Sequence, residues 1–298
     1  MDEFALFLGC VIPTRLPHVE KSVREVFKIL DIKVHEMQGA GCCPDPIASQ
    51  SLSVDLWTTL AARNLTIAET MGLDIITTCA GCYETLKTAS KLMAEDSELK
   101  ARVNAKLKHL GLEYKGDTQI YHFVEVLSRE NYLRKLESLT QVPLNELVIS
   151  SHNGCHLLRP SEVLGFDNPE RPEKMDLILN ALGAKIIETP KKNDCCGYCV
   201  KLDQAIGKKL VKDKVEELQA NQVDGLSVVC PSCFLQLDRK QRLINKEDAT
   251  DQEKPELHTP VLYLSELIAV ALGVPQKELN LRKRTIKPKK LLTKINTP

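Results

Sequence analysis

From its N-terminus the chain alternates short apolar runs with amphipathic stretches. "FALFLG" (residues 4–9) has the continuous apolar character of a strand buried on both faces, and a helix pattern begins near Pro17. "VREVFKILDIKVHEM" (23–37) carries a helix pattern into a short β-branched strand pattern. "LDIITT" (73–78), "ELVISS" (146–151) and "DGLSVV" (224–229) read as further buried strands. Strand and helix patterns alternate in this way along most of the chain. That alternation predicts an α/β fold with mainly parallel sheets covered by helices.

The pattern occurs twice. "VREVFKILDIKVHEM" parallels "MDLILNALGAKIIET" (175–189), "LFLGC" (6–10) parallels "SHNGC" (151–155), and "LDIITTCAGC" parallels "DGLSVVCPSC". Each copy is followed by a similar apolar segment, "IYHFVEVL" (120–127) and "VLYLSELI" (261–268). Two tandem, pseudo-symmetric α/β domains follow, at 1–140 and 141–280, joined through a helical stretch that ends at "TQVPLNE". Residues 281–298 hold seven basic residues and no acid, which reads as a basic tail, either solvated or docking an acidic partner protein.

Composition narrows the class. With 298 residues and 43% hydrophobic content the chain can bury a core without cross-links. Lys+Arg and Asp+Glu balance at 40 each, and no basic stripe or stacking aromatic motif points to nucleic acid. No apolar run nears the roughly 20 residues of a spanning helix, and "MDEFALFLGC" has no signal-peptide pattern, so the expectation is a cytoplasmic protein away from the membrane. No glycine fingerprint, P-loop, HExxH or GxSxG occurs, so neither flavin nor nicotinamide is expected on this chain.

Eleven cysteines change the picture most. Ten fall in two matching sets: Cys10, Cys42, Cys43, Cys79 and Cys82 read C-x31-CC-x35-C-x2-C, and Cys155, Cys195, Cys196, Cys230 and Cys233 read C-x39-CC-x33-C-x2-C. Each single cysteine and each CxxC stands at the end of an expected strand, where parallel sheets assemble sites. Five thiolates per copy exceed the four that zinc or a cubane cluster takes, and adjacent cysteines suit a polynuclear cluster better than one ion. Iron–sulfur, zinc and thiol–disulfide chemistry all stay open on spacing alone, with iron–sulfur favoured. Cys199 extends the second pair to "CCGYC", as an alternative ligand or a plain free thiol.

At these ten cysteines the sequence resembles the family with two CCG cysteine-rich domains, which includes the B subunits of heterodisulfide reductases of methanogenic archaea. The resemblance covers about residues 4 to 270, with one departure: the first pair is followed by Pro44, where the second has Gly197. It implies a noncubane [4Fe–4S] cluster on each set of five cysteines, two in all. It implies reduction of the coenzyme M–coenzyme B disulfide to two thiols, each cluster giving one electron. The partners would be a ferredoxin-like C subunit with a flavin-containing, electron-bifurcating A subunit, fed by hydrogenase or formate dehydrogenase. Relatives that oxidise lactate or glycolate, or act on succinate and fumarate, use the same domains, so an electron-relay role beside quinone chemistry is the alternative. The implied substrate is anionic, which makes Arg15, Arg159, Lys201, Lys208 and Lys209 candidate anchors. His152 and His156, bracketing Cys155, are candidate proton donors, ahead of His18 and His122.

Overall fold

A computed structural model describes residues 2–198, 203–249 and 256–295. It contains two four-stranded parallel sheets of the same topology. The first is ordered β2-β1-β3-β4, from β1 (Glu3–Phe7), β2 (Lys33–Glu36), β3 (Asp74–Thr77) and β4 (Ile120–His122). The second is ordered β6-β5-β7-β8, from β5 (Val148–His152), β6 (Lys185–Ile186), β7 (Gly225–Val228) and β8 (Val261–Tyr263). All six pairings are parallel. Phe4 pairs with Asp74 as Ile149 pairs with Gly225, so counting from Cys10 and Cys155 aligns the two halves residue by residue.

Helices cover the sheets for reasons visible in their sequences. Helix Pro17–Ile29 starts on a proline, whose missing N–H is no loss in a first turn, and buries Val19, Val23, Val26 and Phe27 on one face. Helix Val54–Met71 begins at Ser53, whose hydroxyl accepts the Leu56 N–H, and stops at Gly72 in the left-handed region. Its counterpart, Gln204–Ala220, is capped by Asp203 through the N–H groups of Ala205 and Ile206. These caps fix the start of each helix, and with it the residues facing the cysteine loops.

The halves clasp one another. Tyr263 of the second half donates its hydroxyl to the Thr78 carbonyl of the first at 2.5 Å, while Tyr83 of the first donates to Leu164 of the second at 3.1 Å. Ser22 and Ser265 meet at 2.7 Å, and the His18 ring packs at a tilt against Phe234 beside Glu266. Buried polar bonds of this kind stay satisfied only in one relative placement of the halves.

Residues 281–295 are packed rather than solvated. Leu281, Leu291, Leu292 and Ile295 are buried, and Arg284 is enclosed, bonding Glu266 at 2.7 Å and the Val261 carbonyl. The charges that made this segment look like a free arm are partly used inside the second half, as Lys294 is with Asp224 at 2.7 Å.

Candidate metal centre

All ten paired cysteines stand where strands end. Cys10 follows β1 as the N-cap of helix Val11–Arg15, and Cys155 opens helix Cys155–Leu158 after β5. Cys79 and Cys230 are the N-caps of helices Ala80–Glu95 and Pro231–Glu247, placing Cys82 and Cys233 in the first helical turns. The adjacent pairs sit in the loops after β2 and β6. Helix N-termini present their N–H dipoles to these sulfurs and favour thiolates there.

The sulfurs form one continuous file. Cys10 and Cys42 lie 3.8 Å apart, and Cys43 reaches Cys82, which reaches Cys79. The second half repeats the order: Cys155 reaches Cys195, and Cys196 reaches Cys233, which reaches Cys230. Cys79 and Cys230 are in hydrogen-bonding reach of each other, so the two sets meet at their CxxC ends. A cleft at this junction is lined from both halves, including Pro46, Gly81, Gly154, His156 and Ser232.

Glycines open the space these sulfurs need. A Cβ on Gly9, which has φ +68°, would stand 2.6 Å from Cys82 Sγ; one on Gly154, φ +81°, would stand 3.6 Å from Cys233 Sγ. Hydrogen bonds donated to neighbouring sulfurs, together with burial, push the Cys82 and Cys233 thiols up, so protonated they form a dense, poorly solvated set. Metal binding is what lets converged buried cysteines lose their protons together. The donor set fits an iron–sulfur group. Five soft thiols from three loops surround each site, and Cys196, Cys233 and His152 alone place three ligand atoms within 4.8 Å.

The proline in the first pair has a local cause. Gly197 has φ +80° and a virtual Cβ only 2.9 Å from the Gly207 carbonyl, so that loop lies tight against its helix. The position matching Gly207 is Trp57, fully buried, which leaves no room for the same approach. Pro44 is instead buried with its carbonyl accepting from Thr85 at 2.9 Å. The exchange removes a donor: Gly197 N–H bonds Cys195 Sγ at 3.3 Å, and Pro44 has no N–H to offer Cys42. Accordingly Cys195 is held far below its ordinary value by its bonds to Cys155 and Cys196, with Gly197 assisting.

The other candidates divide. His152 is buried, with Nδ1 at 3.1 Å from the Lys192 carbonyl and Nε2 at 3.3 Å from Cys233 Sγ. Burial, reinforced by the Lys214 charge, pushes its ring down to about 3. His156 lines the cleft, and its Nε2 has no hydrogen-bond partner among the described residues. His122, at the end of β4, is fully buried, and burial takes it down to about 3 as well. Arg15 and Arg159 are exposed, Arg159 near Glu170 at 3.9 Å. Lys208 pairs with Glu247 at 2.5 Å and Lys209 with Asp213 at 2.7 Å. None of these four basic residues lines the cleft. Lys201 and Cys199 lie outside the described residues. The sequence reading missed Lys214, Lys192 and Asp176, the buried polar groups behind the second site, because nothing but their burial separates them from surface charges.

Such a doubled set of cysteines on two parallel α/β units defines a class. Residues 4–87 and 149–238 match the CCG cysteine-rich domain, and the chain belongs to that family. Among its relatives is the B subunit of the ferredoxin/F420H2-dependent CoB–CoM heterodisulfide reductase of Methanosarcina acetivorans. The two are 35% identical over 298 residues, covering 99% of this chain and 97% of that one. The chain is 34% identical to the 8-methylmenaquinol:fumarate reductase membrane anchor subunit of Wolinella succinogenes, covering 97% and 99%. The fold alone is shared with a hypothetical protein from Helicobacter pylori, at TM-score 0.75 and 16% identity, over 96% of this chain and 52% of the other. Among the described residues no helix is long and apolar enough to cross a membrane.

Proposed function

We propose that this chain is the cytoplasmic, disulfide-cleaving B subunit of a CoB–CoM heterodisulfide reductase, an oxidoreductase of methanogenesis. The observation that carries the reading is the mirror-ordered file of sulfurs, whose two halves meet at Cys79 and Cys230 beside a cleft lined from both. Cys10, Cys42, Cys43, Cys79 and Cys82 would hold one noncubane [4Fe–4S] cluster, and Cys155, Cys195, Cys196, Cys230 and Cys233 the other. Bound there, each cluster supplies one electron at a time and a soft acceptor for sulfur. The overall change is RS–SR′ + 2e⁻ + 2H⁺ → RSH + R′SH, so one substrate needs both halves.

The residues of the chain have three tasks in that change. Gly81 and Gly154, with no side chains to fill the junction, leave room for a disulfide between the sets. His156, unpartnered in the cleft, holds a proton for one leaving thiolate, with His152 behind it on Cys233. Arg15 and Arg159 are candidates for the anionic ends of the substrate where these extend beyond the cleft. Electrons arrive from a ferredoxin-like C subunit, served by a hydrogenase or formate dehydrogenase through a flavin-containing A subunit. Cys10 and Cys42, the exposed sulfurs of the file, suit that entry, since Ile47, Leu52, Val54, Leu56 and Leu60 follow them as an exposed apolar row.

Anaerobic turnover of the coenzyme M–coenzyme B disulfide with reduced viologen tests the assignment. Two thiols formed per disulfide consumed is the expected result. A fully loaded chain that oxidises reduced viologen with a quinone but never with the disulfide would move it to the electron-relay role suggested by the Wolinella relative.

A further inference from the structure

The two halves share a frame, yet the groups behind their sulfurs differ in kind. Counting back from Cys10 and Cys155, Ala5, Leu6 and Phe7 of the first half correspond to Ser150, Ser151 and His152 of the second. Counting from the helix caps Ser53 and Asp203, Asn64 corresponds to Lys214. Both side chains serve the loop that carries the adjacent cysteines. Asn64 accepts the Gly41 N–H at 2.9 Å and donates to the Cys42 carbonyl at 3.0 Å. Lys214 donates to the carbonyls of Lys191 and Lys192, the latter at 3.3 Å. One side chain is neutral and the other carries an amine.

Lys214 is only 2% exposed. It shares the Lys192 carbonyl with His152 Nδ1, whose other nitrogen faces Cys233 Sγ at 3.3 Å. A carbonyl only accepts, so Nδ1 carries the hydrogen in that bond and Nε2 is aimed at the sulfur. The Lys192 backbone is in turn pinned by its own side chain, which is buried against Asp176, and Asp176 accepts from Ser151 on β5 at 2.6 Å. The result is a fixed polar backing, from Lys214 through Lys192 and His152 to Cys233. Burial pulls the Lys214 amine down to about 8, which leaves it mainly protonated at neutral pH. Its charge is felt at Cys233 and Cys196, with Asp194 and Glu217 the carboxylates that oppose it. In the first half Phe7 and Asn64 provide no charge and no ring nitrogen.

We infer that Lys214 is a positioning residue that sets the reduction potential of the second cysteine site, a role the neutral Asn64 at the matching position of the first does not perform. A fixed positive charge in a region of low dielectric favours the more negative, reduced state of a nearby cluster. The same amine holds the carbonyl that orients His152 toward Cys233. The halves are therefore built as unequal partners, with the second drawing electrons toward it. The inference rests on the cluster assignment above and names the residue that makes the two sites differ.

The test is a reductive titration of the whole, anaerobically purified chain, followed by visible absorption and EPR with iron counted in parallel. The second site's signal is assigned by its loss in Cys233→Ser. Lys214→Gln keeps a donor for the loop carbonyls and removes the charge. It is expected to lower that site's reduction equilibrium at least tenfold, about 59 mV for a one-electron couple, with the first site unmoved. Lys214→Arg is expected to restore the midpoint. Should the Gln variant lose iron, Asn64→Lys gives the reciprocal reading, a rise in the first site's midpoint. Full iron with unmoved midpoints in the Gln and Lys variants would overturn the inference alone. A wild-type chain without iron would overturn the cluster assignment and this inference with it.

Discussion

The first half leaves Cys10 and Cys42 exposed and sets the neutral Asn64 behind its adjacent pair; the second leaves none of its five described paired cysteines exposed and sets the buried amine of Lys214 at the matching place. Both halves use the same strand order and place the first cysteine of each CxxC as the cap of the following helix. Duplication thus preserved what holds sulfur in place and let the surroundings diverge. Pro44 and Gly197 show the divergence at one residue: Gly197 lies tight against Gly207, Pro44 accepts from Thr85, and only the glycine gives an N–H to sulfur. Equal scaffolds with unequal fields suit a reaction that needs two one-electron sites but a direction of flow.

The comparison can be broken most severely at the junction. Cys79→Ser and Cys230→Ser are each expected to abolish disulfide turnover while lowering bound iron by about half, since each set is built on its own half. Loss of all iron in either variant would mean that the halves do not load separately. Next comes the proton donor. His156→Gln is expected to lower kcat for the disulfide about 100-fold with iron content unchanged, whereas substitution of Val11, its counterpart beside Cys10, changes kcat little.

Packing separates the halves by a smaller amount. Gly9→Ala drives a methyl to 2.6 Å from Cys82 Sγ in a left-handed backbone, a cost of about 3 kcal/mol. Gly154→Ala meets its nearest sulfur at 3.6 Å and is expected to cost about 1 kcal/mol, mostly backbone strain. Denaturant unfolding of the two variants reads the difference, and equal losses would contradict the alignment of the sites.

The smallest effect concerns pH. His122 and Tyr263 occupy matching positions as the last residues of β4 and β8, and burial holds the His122 ring down to about 3. A folded state that resists protonation loses stability as pH falls below the ordinary histidine value near 6.5. Between pH 6.5 and 5.5 this single group accounts for a loss of about 1 kcal/mol. His122→Tyr, which installs the residue of the second half, is expected to flatten the fall by that amount in denaturant titrations. An unchanged slope would show that another group sets it.

Much of this was legible in the chain before its structure. The alternation of continuous apolar runs with helix patterns, met twice, contained the parallel sheets, and the strand-end rule brought cysteines as far apart as Cys10 and Cys82 to one rim. Less visible was what depends on tertiary pairing. Lys208 reads as a free cation until Glu247, from another helix, is found 2.5 Å away. The stretch from 281 reads as a basic tail because its charges outnumber Leu281, Leu291, Leu292 and Ile295, yet those apolar residues decide its packing. Lys214 sits in "VKDKVEEL", an ordinary charged helix by composition, and only its depth in the fold sets it apart.

What the ten sulfurs bind decides what the two halves can do. Iron and acid-labile sulfide, counted per chain on anaerobically purified protein, are predicted at about eight of each, as two [4Fe–4S] clusters require. Two zinc ions and no iron per chain would contradict the cluster assignment.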